Sequence, residues 1–184
     1  MDMKLLPAAY MAKDLSREIM TASFDIKNEW FFFDGASKHF ANLQVGVNAW
    51  STENFVAVYN DEVVAYFEGT WFRPLDIVND FRTISFNDKC PRLFAVAFMC
   101  YVEHVFVNRG CKVLNWSVAL QNERAAKQSE RFAKDYCGHC VGIRHHSQKS
   151  LTGKVSKSAL YEITQEEFFD WRQRRFGRRV SVHR

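Results

Sequence analysis

The chain has 184 residues, 47% hydrophobic and 25% charged, with three prolines and a formal net charge of +4. That length buries one core without disulfides or metal, the composition is that of an ordered globular domain, and the charge is too small to imply nucleic acid by itself. Five cysteines, at 90, 100, 111, 137 and 140, make no repeating framework and point to free thiols in a reducing compartment.

From the N-terminus, Met1-Asp2-Met3-Lys4 has no signal-peptide pattern. Residues 5–10 read as a short strand, and 13–22 as a helix with Leu15, Ile19 and Met20 on one side. Residues 24–50 are rich in aromatics, with a turn signal at Asp34-Gly35 and a short helix over 37–43. A hairpin follows: strand 55–59, turn Asn60-Asp61-Glu62, strand 63–71. Residues 81–86 alternate as a half-buried strand, and Asn87 to Pro91 breaks it.

Leu93 to Val107 is the one long apolar run; Glu103 and His104 interrupt it, and it is too short to span a bilayer. It predicts a buried helix, with Pro91 in its first turn and Gly110 at its end. Residues 113–120 form the next strand, and Asn122 caps a helix to about Tyr136, ended by Gly138. Two strands around Gly153 and a helix over 165–175 complete one mixed α+β domain, 1–175, with a basic tail, 176–184. A soluble cytoplasmic protein with no membrane partner is expected.

The run from Val113 to Leu120, then Asn122, Gly138, Val141-Gly142-Ile143-Arg144, Gly153, Leu160 to Ile163 and Glu166 to Trp171 resembles the C-terminal half of a GNAT N-acetyltransferase. The resemblance covers residues 55–171. It implies a mixed, mostly antiparallel central sheet with helices on both faces, acetyl-CoA as co-substrate, and a primary amine on a protein or small molecule as acceptor. It places cofactor contacts at Phe86, Lys89, Cys90, Arg92, Leu93 and Asn122. The family's Gln/Arg-x-x-Gly-x-Gly/Ala phosphate loop falls on 87–92, where both glycines are missing. Cys90 and Arg92 stand in their places, Pro91 removes an N–H donor, and Lys89 and Arg92 supply charge.

Glu68 and Asp80 are the available carboxylate bases, and Glu68, set among Tyr66, Phe67 and Trp71, is the choice. Where many GNAT enzymes carry a thiolate-protonating Tyr there is Ser129. Tyr136, two turns on, is the alternative acid. A shorter likeness, Leu114-Asn115-Trp116-x-Val118 with Asn122 and Arg131-Phe132-Ala133, is similar to GNAT-like proteins of short-tailed phages. It keeps open a catalytically inactive binding or assembly module. Such a module would use the aromatic N-terminal third or the Arg-rich tail on a protein partner. The tail's basic and aromatic mixture also suits nucleic acid, as a weaker reading. Cys137-Gly138-His139-Cys140 has redox spacing, but it follows a helix C-terminus, which opposes thiolate formation; no metal is expected.

Overall fold

The computed structural model describes residues 3–32, 54–86 and 91–176. The helix expected over 37–43, the loop 87–90 with Lys89 and Cys90, and the tail 177–184 lie outside them. In chain order the elements are β1 (Met3–Pro7), α1 (Ala12–Ser23), β2 (Phe55–Tyr59), β3 (Glu62–Phe72), β4 (Ile77–Ser85), α2 (Pro91–Glu103), β5 (Val113–Ala119), α3 (Glu123–Asp135), β6 (His139–Lys149), β7 (Val155–Thr164) and α4 (Gln165–Phe176). The succession matches the one read from the sequence.

Local chemistry explains the junctions. Asn60 and Asp61 both have positive φ, 49° and 62°, so they form the two-residue turn whose twist suits a hairpin. Asn122 caps α3, its Oδ1 accepting the N–H of Ala125 at 3.3 Å. Asn122→Ala is therefore expected to cost about 1 kcal/mol, read as a lower urea midpoint at unchanged m-value. Gly138, at φ 99°, turns the chain so close to β7 that a Cβ there would lie 2.6 Å from the Glu162 carbonyl oxygen.

Three boundaries differ from expectation. β4 begins at Ile77 rather than Phe81, because Asn79 and Asp80 hide a strand that tertiary pairing sustains. β6 continues past Arg144 to Lys149, carried by its register with β7. The first strand ends at Pro7, where a 3₁₀ turn takes over.

The seven strands form one sheet in the order β1-β2-β3-β4-β5-β7-β6. Every neighbouring pair is antiparallel except β4–β5. A parallel pair needs a crossover, which α2 supplies. Alternate strand residues feed two cores. Val56, Val58, Tyr66 and Ile84 meet Leu15 and Ile19 of α1 on one face. Ala57, Phe67, Val78 and Phe81 share the other core with Phe98 and Tyr101 of α2, Phe132 of α3 and Phe168 of α4. The sheet thus carries helices on both faces, as expected. Among the described residues no helix is long and apolar enough to cross a membrane.

Candidate active site

The pairing of β4 with β5 stops almost as soon as it starts. Only Ile77↔Val113 and Val78↔Leu114 are in register, although β4 runs on to Ser85 and β5 to Ala119. The cause lies in β4. From Glu68↔Arg82 to Thr70↔Asn79, β3 advances two residues while β4 advances three. That extra residue is a bulge, which bends its strand. Beyond it the two strands part and leave a slot that opens toward their C-terminal ends.

Parallel strands end on the same side, so α2 and α3 both begin at the mouth of this slot. The N–H groups of a first helical turn have no acceptor within the helix. Arg92, exposed, and Leu93, 6% exposed and packed in the core, occupy that turn of α2. Leu93 therefore offers the mouth main-chain groups rather than its side chain. Asn122, the cap of α3, stands at the same end.

Two side chains close the inner end of the slot. Asn115 Nδ2 donates to Asn79 Oδ1 at 2.6 Å. These are the first residues beyond the last paired positions, Val78 and Leu114. Leu114 and Trp116 belong to the large core, so Asn115 between them faces the α1 side of the sheet. Glu68 is on that side too. It is 8% exposed, its Oε2 accepts the Tyr66 hydroxyl at 3.0 Å, and its register partner is Arg82. Burial, followed by the Glu68 charge, pushes the Tyr66 hydroxyl far up, so it stays protonated and donates. Tyr66, Glu68 and Thr70 follow one another along this face of β3, opposite Ile84, Arg82 and Asn79. The candidate base is thus one step from the closed end.

The main chain of β4 also divides between its two edges. The Phe86 N–H donates to the Val64 carbonyl at 2.9 Å. In an antiparallel ladder alternate residues pair inward, so the Phe86 amide is committed to β3, and the main-chain groups of Thr83 turn toward the slot. Among the described residues the buried Thr83 hydroxyl has no hydrogen-bond partner, an orphaned polar atom on the strand that lines the slot.

No protein-family model and no curated protein matches the sequence, but solved structures resemble it. A chimera of the spermidine N-acetyltransferase SpeG from Vibrio cholerae and hSSAT superposes with a TM-score of 0.71 at 12% identity, over 92% of this chain and 99% of that one. For the ribosomal-protein-S5-alanine acetyltransferase from Vibrio fischeri the TM-score is 0.69 at 12% identity, over 92% and 93%. The microcin C7 self-immunity acetyltransferase MccE, in complex with acetyl-CoA and AMP, gives 0.67 at 12% identity, over 89% and 92%. The chain has the GNAT fold.

Within this GNAT fold the remaining candidates separate. Ser129 Oγ accepts the indole N–H of Trp116 at 3.1 Å, so it lies on the large-core side, across the sheet from Glu68. Tyr136 stands at the far end of α3, about 20 Å from Asn122 at the rise of an α-helix. Its ring stacks on Phe132 at 5.0 Å and tilts against Trp171 at 5.9 Å, beside an open groove of about 520 Å³ between α3 and α4. The structure therefore gathers Glu68, Arg92, Leu93, Phe86 and Asn122 around the slot and sets Tyr136 apart. Burial, and next the Glu167 carboxylate, pushes the Cys137 thiol up to about 12, which removes it as a thiolate nucleophile at neutral pH.

Sequence reasoning missed Asn79, Asn115, Arg82 and Thr83. The available signal was two asparagines inside strands, where Asn is depleted.

A polar clamp also ties the segment after α1 to the turn between β6 and β7. Glu29, 7% exposed, follows α1 and reaches the β6–β7 turn. Its Oε1 accepts Lys154 Nζ at 2.8 Å, its Oε2 accepts the Thr152 hydroxyl, and its carbonyl accepts the Leu151 N–H at 2.9 Å. The Lys154 ammonium, and next the Thr152 hydroxyl, hold the Glu29 carboxyl below its usual 4.5. A carboxyl lowered on folding binds fewer protons in the native state, so it stabilises above its unfolded pKa and loses that contribution as pH falls through the folded value. The melting temperature should therefore drop below about pH 4.5, and Glu29→Gln should flatten part of that drop while lowering the neutral-pH value. A pH series of thermal melts checks both.

Proposed function

We propose that the protein is an acyl-CoA-dependent N-acetyltransferase, moving an acetyl group from acetyl-CoA to a primary amine on a small molecule or a protein. The observation that carries this reading is the slot between β4 and β5. An amide-bearing arm can pair with the edges of two strands that have parted as an added strand does, and the pyrophosphate suits the positive N-terminus of α2. Arg92 adds a guanidinium there and Leu93 a main-chain donor, and Lys89 and Cys90 precede them in the sequence. The Thr83 hydroxyl, without a partner among the described residues, fits a polar ligand in the slot. Asn122 holds the start of α3 at its other wall.

The neutral amine nitrogen attacks the thioester carbonyl carbon. The N–C bond forms, the C–S bond breaks, and the thiolate leaves with the bond's electron pair. Glu68, through water, takes the proton that the amine nitrogen sheds. The slot-facing amide of Thr83 supplies the donor for the developing oxyanion. Ser129 has a hydroxyl too weakly acidic to protonate the thiolate well; water completes that step.

Titration of acetyl-CoA by calorimetry at moderate salt is the test. Saturable binding at micromolar affinity is the expected result. No heat up to millimolar ligand overturns the enzyme reading in favour of a non-catalytic module with a protein partner.

A further inference from the structure

An acyl group enters the slot at the tip of whatever arm the strand edges hold, so the closed end decides how long that group can be. The closed end is built from Asn79 and Asn115, joined at 2.6 Å. Directly beneath them, Val78 and Leu114 are both 0% exposed, and they are the last residues that hold the strands together. Nor is there slack below. A Cβ on Gly69 would lie 2.8 Å from Val78 Cγ1 and 3.0 Å from the Tyr101 hydroxyl oxygen. The wall therefore cannot recede by repacking Val78, and the two side-chain amides are the small, replaceable groups that bridge the strands at the vertex.

Strand propensity argues against asparagine at either position, since β-branched residues suit a pleated sheet better. The pair replaces a main-chain ladder with a side-chain bridge where the bulge has already drawn the strands apart.

We infer that the Asn79–Asn115 hydrogen bond is the stop at the end of the slot and limits the accepted acyl group to a short one. This rests on the acyl-CoA reading above. Both asparagines are specificity-determining residues here, and neither takes part in proton transfer.

The test is binding of coenzyme A, acetyl-CoA, propionyl-CoA and butyryl-CoA by calorimetry, which needs no acceptor amine. The unaltered protein is expected to bind acetyl-CoA more tightly than butyryl-CoA. Asn79→Ala with Asn115→Ala should raise butyryl-CoA affinity relative to acetyl-CoA roughly tenfold or more, the usual worth of one or two methylenes in a fitted pocket. Affinity for coenzyme A itself should stay unchanged. Asn115→Asp, which keeps the volume, should keep the selectivity. If the double variant does not fold, Asn79→Ser alone carries the comparison, with a smaller shift in the same direction. Acyl-CoAs that bind with an unaltered ratio in the opened variant, or a natural protein that binds butyryl-CoA as well as acetyl-CoA, overturn the inference and leave the acetyltransferase reading standing. Failure of the natural protein to bind coenzyme A or any of its thioesters overturns both.

Discussion

Replacing Glu68 by Gln is expected to lower kcat/KM for amine acetylation by about a hundred- to ten-thousandfold, the usual worth of a positioned general base, with acetyl-CoA affinity unchanged. The expectation comes from placement. Glu68 is the buried carboxylate next to the closed end of the slot, and the Tyr66 hydroxyl fixes one of its oxygens. Its carboxylate lies on the face of the sheet that carries the closed end. Gln keeps the shape and the bond from Tyr66 but cannot accept a proton at neutral pH. Steady-state kinetics combined with calorimetry separates the two effects. A variant that turns over normally would remove Glu68 from the mechanism, and one that loses acetyl-CoA binding would make its role structural.

Phe67→Ala is expected to cost about 3–5 kcal/mol, as a large aromatic removed from a packed core does. A domain holds only about 5–15 kcal/mol of net stability. Phe67 is 0% exposed, and its ring lies within 5.0–6.4 Å of Tyr101, Phe81, Phe94 and Phe98. It thus joins β3, β4 and α2 where the bulged strand must be held. Four neighbouring rings cannot collapse into the space together, so the cavity remains. Urea denaturation should show the midpoint falling at constant m-value, and Phe67→Leu, which keeps most of the volume, should lose less.

Some features were local and therefore legible. The Asn60-Asp61 turn, the Asn122 cap and the apolar run of α2 each follow from a few adjacent residues. A further local signal stood in the sequence unused. Thr164 and Glu167 have capping-box spacing, and each bonds the other's main chain, Thr164 Oγ1 accepting the Glu167 N–H at 3.1 Å and Glu167 Oε2 the Thr164 N–H at 2.9 Å. The start of β4 was illegible for the opposite reason. Asn79 and Asp80 break the alternation in sequence, and only pairing with β3 makes the segment a strand.

By itself, the sequence determined the order of helices and strands and the helix that begins at Asn122, because periodicity and capping are encoded within a few residues; helices on both faces of the sheet were implied only by the family resemblance. The tertiary structure decided that β4 and β5 part after a single step, that Asn79 meets Asn115, that Glu29 reaches Lys154, and that Tyr136 sits a helix-length from the slot. Asn79 and Asn115 are 36 positions apart in the chain, and Glu29 and Lys154 125. Contacts over such separations come from sheet register and a one-residue bulge, which no local pattern of side chains records.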